Sequence, residues 1–257
     1  MADETLIAVF VDFENLAIGA RDLHSEEFRI DLVLKRLLEK GRIVFKRAYC
    51  DWNRYRGAVR EFHSQGIEMI DIPQKKMSGK NSADIRMVVD ALDLCYAKSH
   101  IDAFALLSGD SDFSPLVSKL KENNKRVIGC GVKASTSELL VSSCDEFLYY
   151  DDLVRSAEKK KAPPRPASAR TPKEAKQDVK QEAIDMLVAI VSSLEEDYDP
   201  VWGSLVKQTL RRVHPDFREE RYGYQGFVEL LKDAETRGLV ALDYDQARGN
   251  YKIRGKG

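Results

Sequence analysis

A chain of 257 residues, 43% hydrophobic and 32% charged, has the composition of a globular protein with enough apolar material for a core, which excludes a disordered or fibrous chain. The formal net charge of −1 hides local asymmetry and selects no partner by itself. No apolar run approaches the roughly 18 residues that span a bilayer. Met1-Ala-Asp-Glu4 lacks the basic start of a secretory signal, so no membrane and a cytoplasmic location are expected.

From residue 5 to about 150, short apolar runs alternate with helical patterns. The predicted strands are Leu6 to Val11, Ile43 to Cys50, Ile67 to Ile72, Ala103 to Leu107, Arg126 to Val132 and Glu146 to Tyr149. Helices are predicted over Ile30 to Glu39, Tyr55 to Ser64, Ala83 to Ala97 and Pro115 to Glu122, with Gly41 and Gly66 as stops. In the third of these, Ile85, Val88, Val89 and Leu92 recur at helical spacing. Repeated strand and helix argues for an α/β fold, a mainly parallel sheet with helices on both faces. Cys50, Cys95, Cys130 and Cys144 form no C-x-x-C pair and read as buried, reduced thiols.

The character changes after residue 154. Residues 155–180 are basic and carry four prolines with almost no large apolar side chains, so a flexible linker is expected. Residues 181–257 then show three helical patterns, Ala183 to Leu194, Val201 to Val213 and Tyr224 to Arg237. Two predicted strands follow, Leu239 to Tyr244 and Asn250 to Arg254, joined by a turn. Three helices and a terminal hairpin predict a small winged helix-turn-helix domain.

Ser108-Gly-Asp-Ser-Asp-Phe-Ser-Pro-Leu116 sets Asp110 and Asp112 one residue apart directly after a strand. Asp12-Phe-Glu-Asn15 likewise closes the first strand, and Asp84 opens a helix. Capping is the plain alternative for Asp12, Asp110 and Asp112, because Asp is favoured at helix starts. An EF-hand is excluded: counted from Asp110, the sixth position is Pro115 rather than Gly, and the twelfth is Lys121 rather than Glu. In an open parallel sheet, ligands collect at the carboxyl ends of the strands, where these clusters are expected to meet. Four carboxylates in one pocket raise each other's pKa unless a divalent cation neutralises them, and hard oxygen ligands favour Mg²⁺ or Mn²⁺. Such a site suits phosphodiester hydrolysis. Neither G-x-G-x-x-G nor G-x-x-x-x-G-K-[ST] occurs, which removes dinucleotide and P-loop readings.

Val11-Asp-Phe-Glu-Asn15, Asp84 with its helix and Asp90, and Ser108-Gly-Asp-Ser-Asp-Phe113 resemble, in order, the three signature segments of the NYN domain, a branch of the PIN-like metal-dependent ribonucleases. The resemblance covers roughly residues 5 to 150. It implies a PIN-like three-layer α/β/α fold over residues 1–154, Mg²⁺ or Mn²⁺ as cofactor, and single-stranded RNA as substrate. By that analogy Asp12, Asp84, Asp110 and Asp112 hold the metal, Asn15 and Ser108 support them by hydrogen bonding, and Asp90 sits behind the site or on the helix surface. The C-terminal module resembles an OST-HTH or LOTUS domain, which implies binding of RNA or of a protein partner.

Candidate RNA ligands are Lys75, Lys76 and Lys80 in the loop before Asp84, Arg54, and, in the second module, Lys207, Arg211 and Tyr222. Each has a plainer reading, as a solvated charge or, for Tyr222, as a core residue. Trp52 is read as core packing. The rival functions are a non-catalytic RNA-binding or scaffold protein with a retained metal pocket, and a DNA nuclease.

Overall fold

The computed structural model describes residues 4–24, 28–73, 82–160 and 172–256, and the chain passes from one compact unit to another between Lys160 and Pro172. Lys75, Lys76 and Lys80 lie outside the described residues.

In the first unit the elements run β1 (Leu6–Asp12), α1 (Phe13–His24), α2 (Ile30–Lys40), β2 (Arg42–Cys50), α3 (Arg56–Ser64), β3 (Glu68–Asp71), α4 (Ser82–Ala97), β4 (Ala103–Leu107), α5 (Ser114–Glu122), β5 (Arg126–Gly131), α6 (Glu138–Ser143), β6 (Glu146–Tyr149) and α7 (Tyr150–Lys160). The strands form one parallel sheet in the order β3-β2-β1-β4-β5-β6. Parallel strands buried on both faces read as continuous apolar runs, and β1 and β4 have that form. Alternate side chains divide between two cores. Ile7, Val9, Val11, Ala103, Ala105 and Leu107 face one, with Leu16, Leu37, Phe62 and Val154 from the helices α1, α2, α3 and α7. Ala8, Phe10, Phe104 and Leu106 face the other, with Met87, Leu116 and Leu140 from α4, α5 and α6. The unit is thus a three-layer α/β/α arrangement.

The chain winds from β1 outward through β2 and β3, then returns to β4 on the other side of β1. That reversal opens a crevice at the carboxyl ends of β1 and β4, the place where doubly wound sheets bind ligands. Asp12 closes β1 and Ser108 follows β4, so topology alone puts both at this crevice.

Several sequence expectations need correction. Helix α4 buries Met87, Ala91 and Cys95, one residue every four, whereas Ile85 and Val89 stand 62% and 47% exposed. Apolar residues occur on more than one face of α4, which left its buried stripe ambiguous. Neither α6 nor α7 was anticipated, and α7 runs into the segment 155–180 expected as linker, which is helical again from Pro172. Cys50, Cys95 and Cys130 are buried free thiols, while Cys144 is only half-buried. Trp52 is core, stacked on Phe13 at 5.3 Å with its indole N–H donating to the Ile70 carbonyl at 3.1 Å.

The second unit contains α8 (Pro172–Leu194), β7 (Val201–Trp202), α9 (Gly203–Val213), α10 (Phe227–Thr236), β8 (Val240–Asp245) and β9 (Asn250–Gly255). Its strands form an antiparallel sheet ordered β7-β9-β8. The expected helix from Val201 starts two residues later, because Val201 and Trp202 pair with Ile253 and Lys252 instead. The expected helix from Tyr224 starts at Phe227, after a 3-10 turn over Glu219–Tyr222 that ends at Gly223 with φ of 77°. Ile184, Leu187, Val206, Leu210, Leu230 and Ile253 are among the residues of a core confined to this unit. Among the described residues no helix is long and apolar enough to cross a membrane.

Candidate active site

Asp12 is 7% exposed, since the sheet core buries the end of β1. Its two oxygens are held: Ser108 Oγ, itself fully buried, donates to Oδ2 at 2.8 Å, and the Asn15 backbone N–H reaches Oδ1 at 3.4 Å. Asn15, one turn into α1, accepts from the Gly109 N–H at 2.9 Å, and the Asp110 N–H donates to Ser108 Oγ at 3.2 Å. These bonds tie the end of β1 to the segment after β4, across more than ninety residues of sequence. Asp110 also caps the 3-10 turn Ser111–Phe113, accepting from the Asp112 N–H at 2.9 Å. The capping and site readings of these acids therefore coexist.

Gly109 is required by close approach. A Cβ there would stand 2.6 Å from the Ser135 carbonyl oxygen and 2.9 Å from Thr136 Cα. The Ser137 N–H donates to the Gly109 carbonyl at 2.9 Å, so the loop after β5 braces the turn that carries Asp110. Sequence reading missed this loop, which carries no acidic residue at the contact.

Asp84 occupies the first turn of α4. That helix is anchored from behind by Asp90, whose Oδ2 accepts from Arg47 Nη1 and the Tyr49 hydroxyl, both at 2.9 Å, and whose Oδ1 accepts from Arg86 Nε at 3.0 Å. Asp90 is thus a support for the helix that presents Asp84.

The acids are near enough to act on one another's charge. Burial raises the Asp12 carboxyl from 3.8 to about 7; the Ser108 hydrogen bond opposes this, and the charges of Asp84 and Asp110 add to it. Asp84 rises to about 6, first from burial and then from Asp110, Asp112 and Glu14. Among the described residues every influence on the Asp84 carboxyl is upward. Glu14 is a member of this acidic edge that the sequence reading left out; its Oε1 accepts from Arg54 Nη1 at 2.8 Å. Among the described residues no three His, Cys, Asp or Glu side chains are arranged to hold a metal ion as they stand. Carboxylate oxygens of this kind are the donors a hard divalent cation takes, and burial first and neighbouring carboxylates second hold the Asp12 and Asp84 carboxyls up.

The basic candidates fare differently. Arg54 borders the acidic edge but is engaged by Glu14. Lys207 and Arg211 both reach the buried carboxylate of Glu219, at 3.6 and 3.3 Å, which gives them a structural role. Tyr222 is 5% exposed and stacks on Phe217 at 5.0 Å, so its ring faces are not open to a base, contrary to the stacking expectation.

Comparison with known proteins agrees with the first unit's architecture. The family model described as NYN domain matches residues 6–151. An uncharacterised protein of Methanocaldococcus jannaschii is 32% identical over 132 residues, covering 51% of this chain and 52% of that protein, so the chain spans about half the length of this curated relative. A crystal structure of a protein of unknown function from Vibrio parahaemolyticus superimposes with a TM-score of 0.53 at 26% identity, covering 60% of this chain and 97% of the other.

Proposed function

Since this chain belongs to the NYN domain family of PIN-like nucleases, we propose that its first unit is a metal-dependent endoribonuclease that hydrolyses phosphodiester bonds of single-stranded RNA. The observation that carries this reading is the acidic edge at the strand crossover, where burial and neighbouring carboxylates lift Asp12 and Asp84 to about 7 and about 6. Asp12, Asp84, Asp110 and Asp112 would hold Mg²⁺ or Mn²⁺. Bound there, the ion supplies an activated water and offsets charge developing on the phosphate.

The chain's own residues prepare the edge. Ser108 donates to Asp12 and so favours its ionised form against the burial that opposes it. Asn15 fixes Gly109 and with it the turn bearing Asp110 and Asp112. Asp90 holds α4 so that Asp84 faces the same edge. For the second unit the reading is a winged-helix module of OST-HTH or LOTUS type that recruits RNA or a protein partner; its helices and antiparallel sheet support that reading.

One observation favours the rival, a non-catalytic RNA-binding or scaffold protein: no three described acids stand ready to coordinate an ion. Cleavage of matched unstructured RNA and DNA oligonucleotides with Mg²⁺ or Mn²⁺, comparing wild type with Asp112→Asn, decides. Metal-dependent RNA cleavage that the variant lacks supports the nuclease. Inert wild type, or equal activity in both proteins, overturns it, and calorimetry showing no Mn²⁺ binding while RNA binding persists would establish the rival.

A further inference from the structure

Helix α4 carries two apolar faces, and its own unit covers only one of them. Met87, Ala91 and Cys95 are buried against the sheet, whereas Ile85 and Val89 are exposed and Tyr96 is 66% exposed. Leu92, between the two faces, is half-buried and packs partly on the sheet core. Ile85, Val89, Leu92 and Tyr96 follow one another at intervals of four, three and four residues. At about 100° per residue that spacing keeps all four on one stripe. It is also the alternation along which two helices pack in a seam. From Ile85 to Tyr96 the stripe runs for about 18 Å, at about 1.5 Å per residue.

Charge names the occupant. Arg86 directly follows Ile85 and Asp93 directly follows Leu92, so the two charges stand on the same flank of the stripe. Antiparallel helices related by a two-fold axis bring like flanks together. An axis passing near Asp90 sets Arg86 against Asp93 of a second copy and Asp93 against its Arg86. The same register sets Ile85 against Tyr96, and Val89 against Leu92, of that copy. One ion pair therefore forms twice beside a continuous apolar seam. Arg86 can serve both sides: its Nε bonds Asp90 at 3.0 Å, while its side chain is exposed and keeps its other N–H groups for a second acceptor. Asp84 lies about 100° around the helix from Ile85, on the flank away from Arg86, so the pairing uses no residue of the acidic edge.

We propose that the exposed stripe of α4 seats α4 of a second copy of this chain, antiparallel, in a homodimer. About 18 Å of one helix face is short of a standard interface, so the dimer is reversible. It does not depend on the nuclease reading.

Sedimentation equilibrium of the full chain in chelator is the test. Mean mass is expected to climb from one chain towards two as protein concentration rises through the micromolar range. Val89→Glu sets a carboxylate in the seam, and Asp93→Arg sets arginine against arginine twice. Each is expected to weaken self-association about tenfold or more; both positions are exposed, and thermal melting checks that each variant folds. Mixing Asp93→Arg with Arg86→Glu restores both ion pairs across the seam, so the mixture is expected to dimerise where neither variant does alone. A damaged fold would not recover in this way, and a mixture that fails to recover overturns the antiparallel register. A wild type that remains a single chain at its highest soluble concentration overturns the proposal. So does a dimer that the variants leave intact, which would place the contact elsewhere. A monomeric wild type that loses RNA affinity on Val89→Glu would give the stripe to RNA instead. Because the variants spare the acidic edge, none of these failures counts against the nuclease, and an inert Asp112→Asn leaves the dimer standing.

Discussion

Asp12 carries the sharpest conflict at the level of single residues, because the fold buries a carboxyl whose function needs it ionised. Its pKa is about 7 when folded against 3.8 as an ordinary value, so the folded state binds the proton more tightly. Such a group favours folding at low pH, and the advantage is lost as pH rises from about 4 through about 7. Holding this carboxyl ionised in the folded protein costs at most about 4 kcal/mol at high pH. Asp12→Asn, which keeps an oxygen to accept from Ser108, should therefore raise the melting temperature in chelator. The gain should be about 2 kcal/mol larger near pH 8 than near pH 5, and added Mn²⁺ should narrow it by stabilising only the wild type. A pH-independent gain would show that Asp12 is not the strained carboxyl. Gly109 gives a second prediction of opposite sign. With a Cβ meeting backbone atoms of Ser135 and Thr136 at 2.6 and 2.9 Å, Gly109→Ala must displace the turn that bears Asp110. It is expected to lower stability by about 1–3 kcal/mol, the usual penalty of overpacking. RNA cleavage should be lost more completely than the melting curve suggests, and a variant with wild-type cleavage would contradict the bracing role of the β5 loop.

Among elements, α4 combines an apolar stripe of Met87, Ala91 and Cys95 with a polar anchor. Asp90, with its side chain 9% exposed, receives Arg47, Tyr49 and Arg86 together. Asp90→Ala leaves a half-buried guanidinium and a phenol hydroxyl without their shared acceptor, although Arg47 keeps Glu68 at 2.7 Å. Chemical denaturation should show a loss of about 2–3 kcal/mol. Metal affinity should fall with it, because Asp84 rides on the same helix; unchanged Mn²⁺ affinity would detach the anchor from the site. How far these elements were legible depends on what determines them. The central strands could be read because burial on both faces makes Leu6–Val11 and Ala103–Leu107 continuous apolar runs. Placement of Asp12, Asp84 and Asp110 after or at the start of elements followed from the same pattern, and the electrostatic coupling of the acids agrees with it. Helix α7 was hidden because its sequence is charge-rich and only Tyr150 and Val154 among its described side chains are buried. The Glu14–Arg54 pair, the brace on Gly109 and the burial of Tyr222 are contacts between distant segments, which local periodicity does not encode.

For the whole molecule, two cores that share no residue imply two units able to fold separately. The two clusters flanking the parallel sheet lie within residues 7–154, and the other core lies within residues 183–253. Val154 belongs to the first unit's core, so a truncation at residue 155 would cut α7 just after a packing residue; ending the chain at Lys160 preserves the helix. The protein comprising residues 1–160 is expected to melt cooperatively and to retain metal-dependent cleavage of RNA. If the second unit contributes contacts to the same RNA, covalent attachment makes its engagement intramolecular, which raises avidity without altering the acidic edge. Removing it should then weaken RNA binding at limiting concentration while leaving turnover on saturating RNA nearly unchanged, a KM effect and not a kcat effect. Equal RNA affinity in the two proteins would assign the second unit to a protein partner instead. A matching fall in kcat would mean that the second unit bears on the chemistry itself, an outcome that neither separate cores nor simple recruitment predicts.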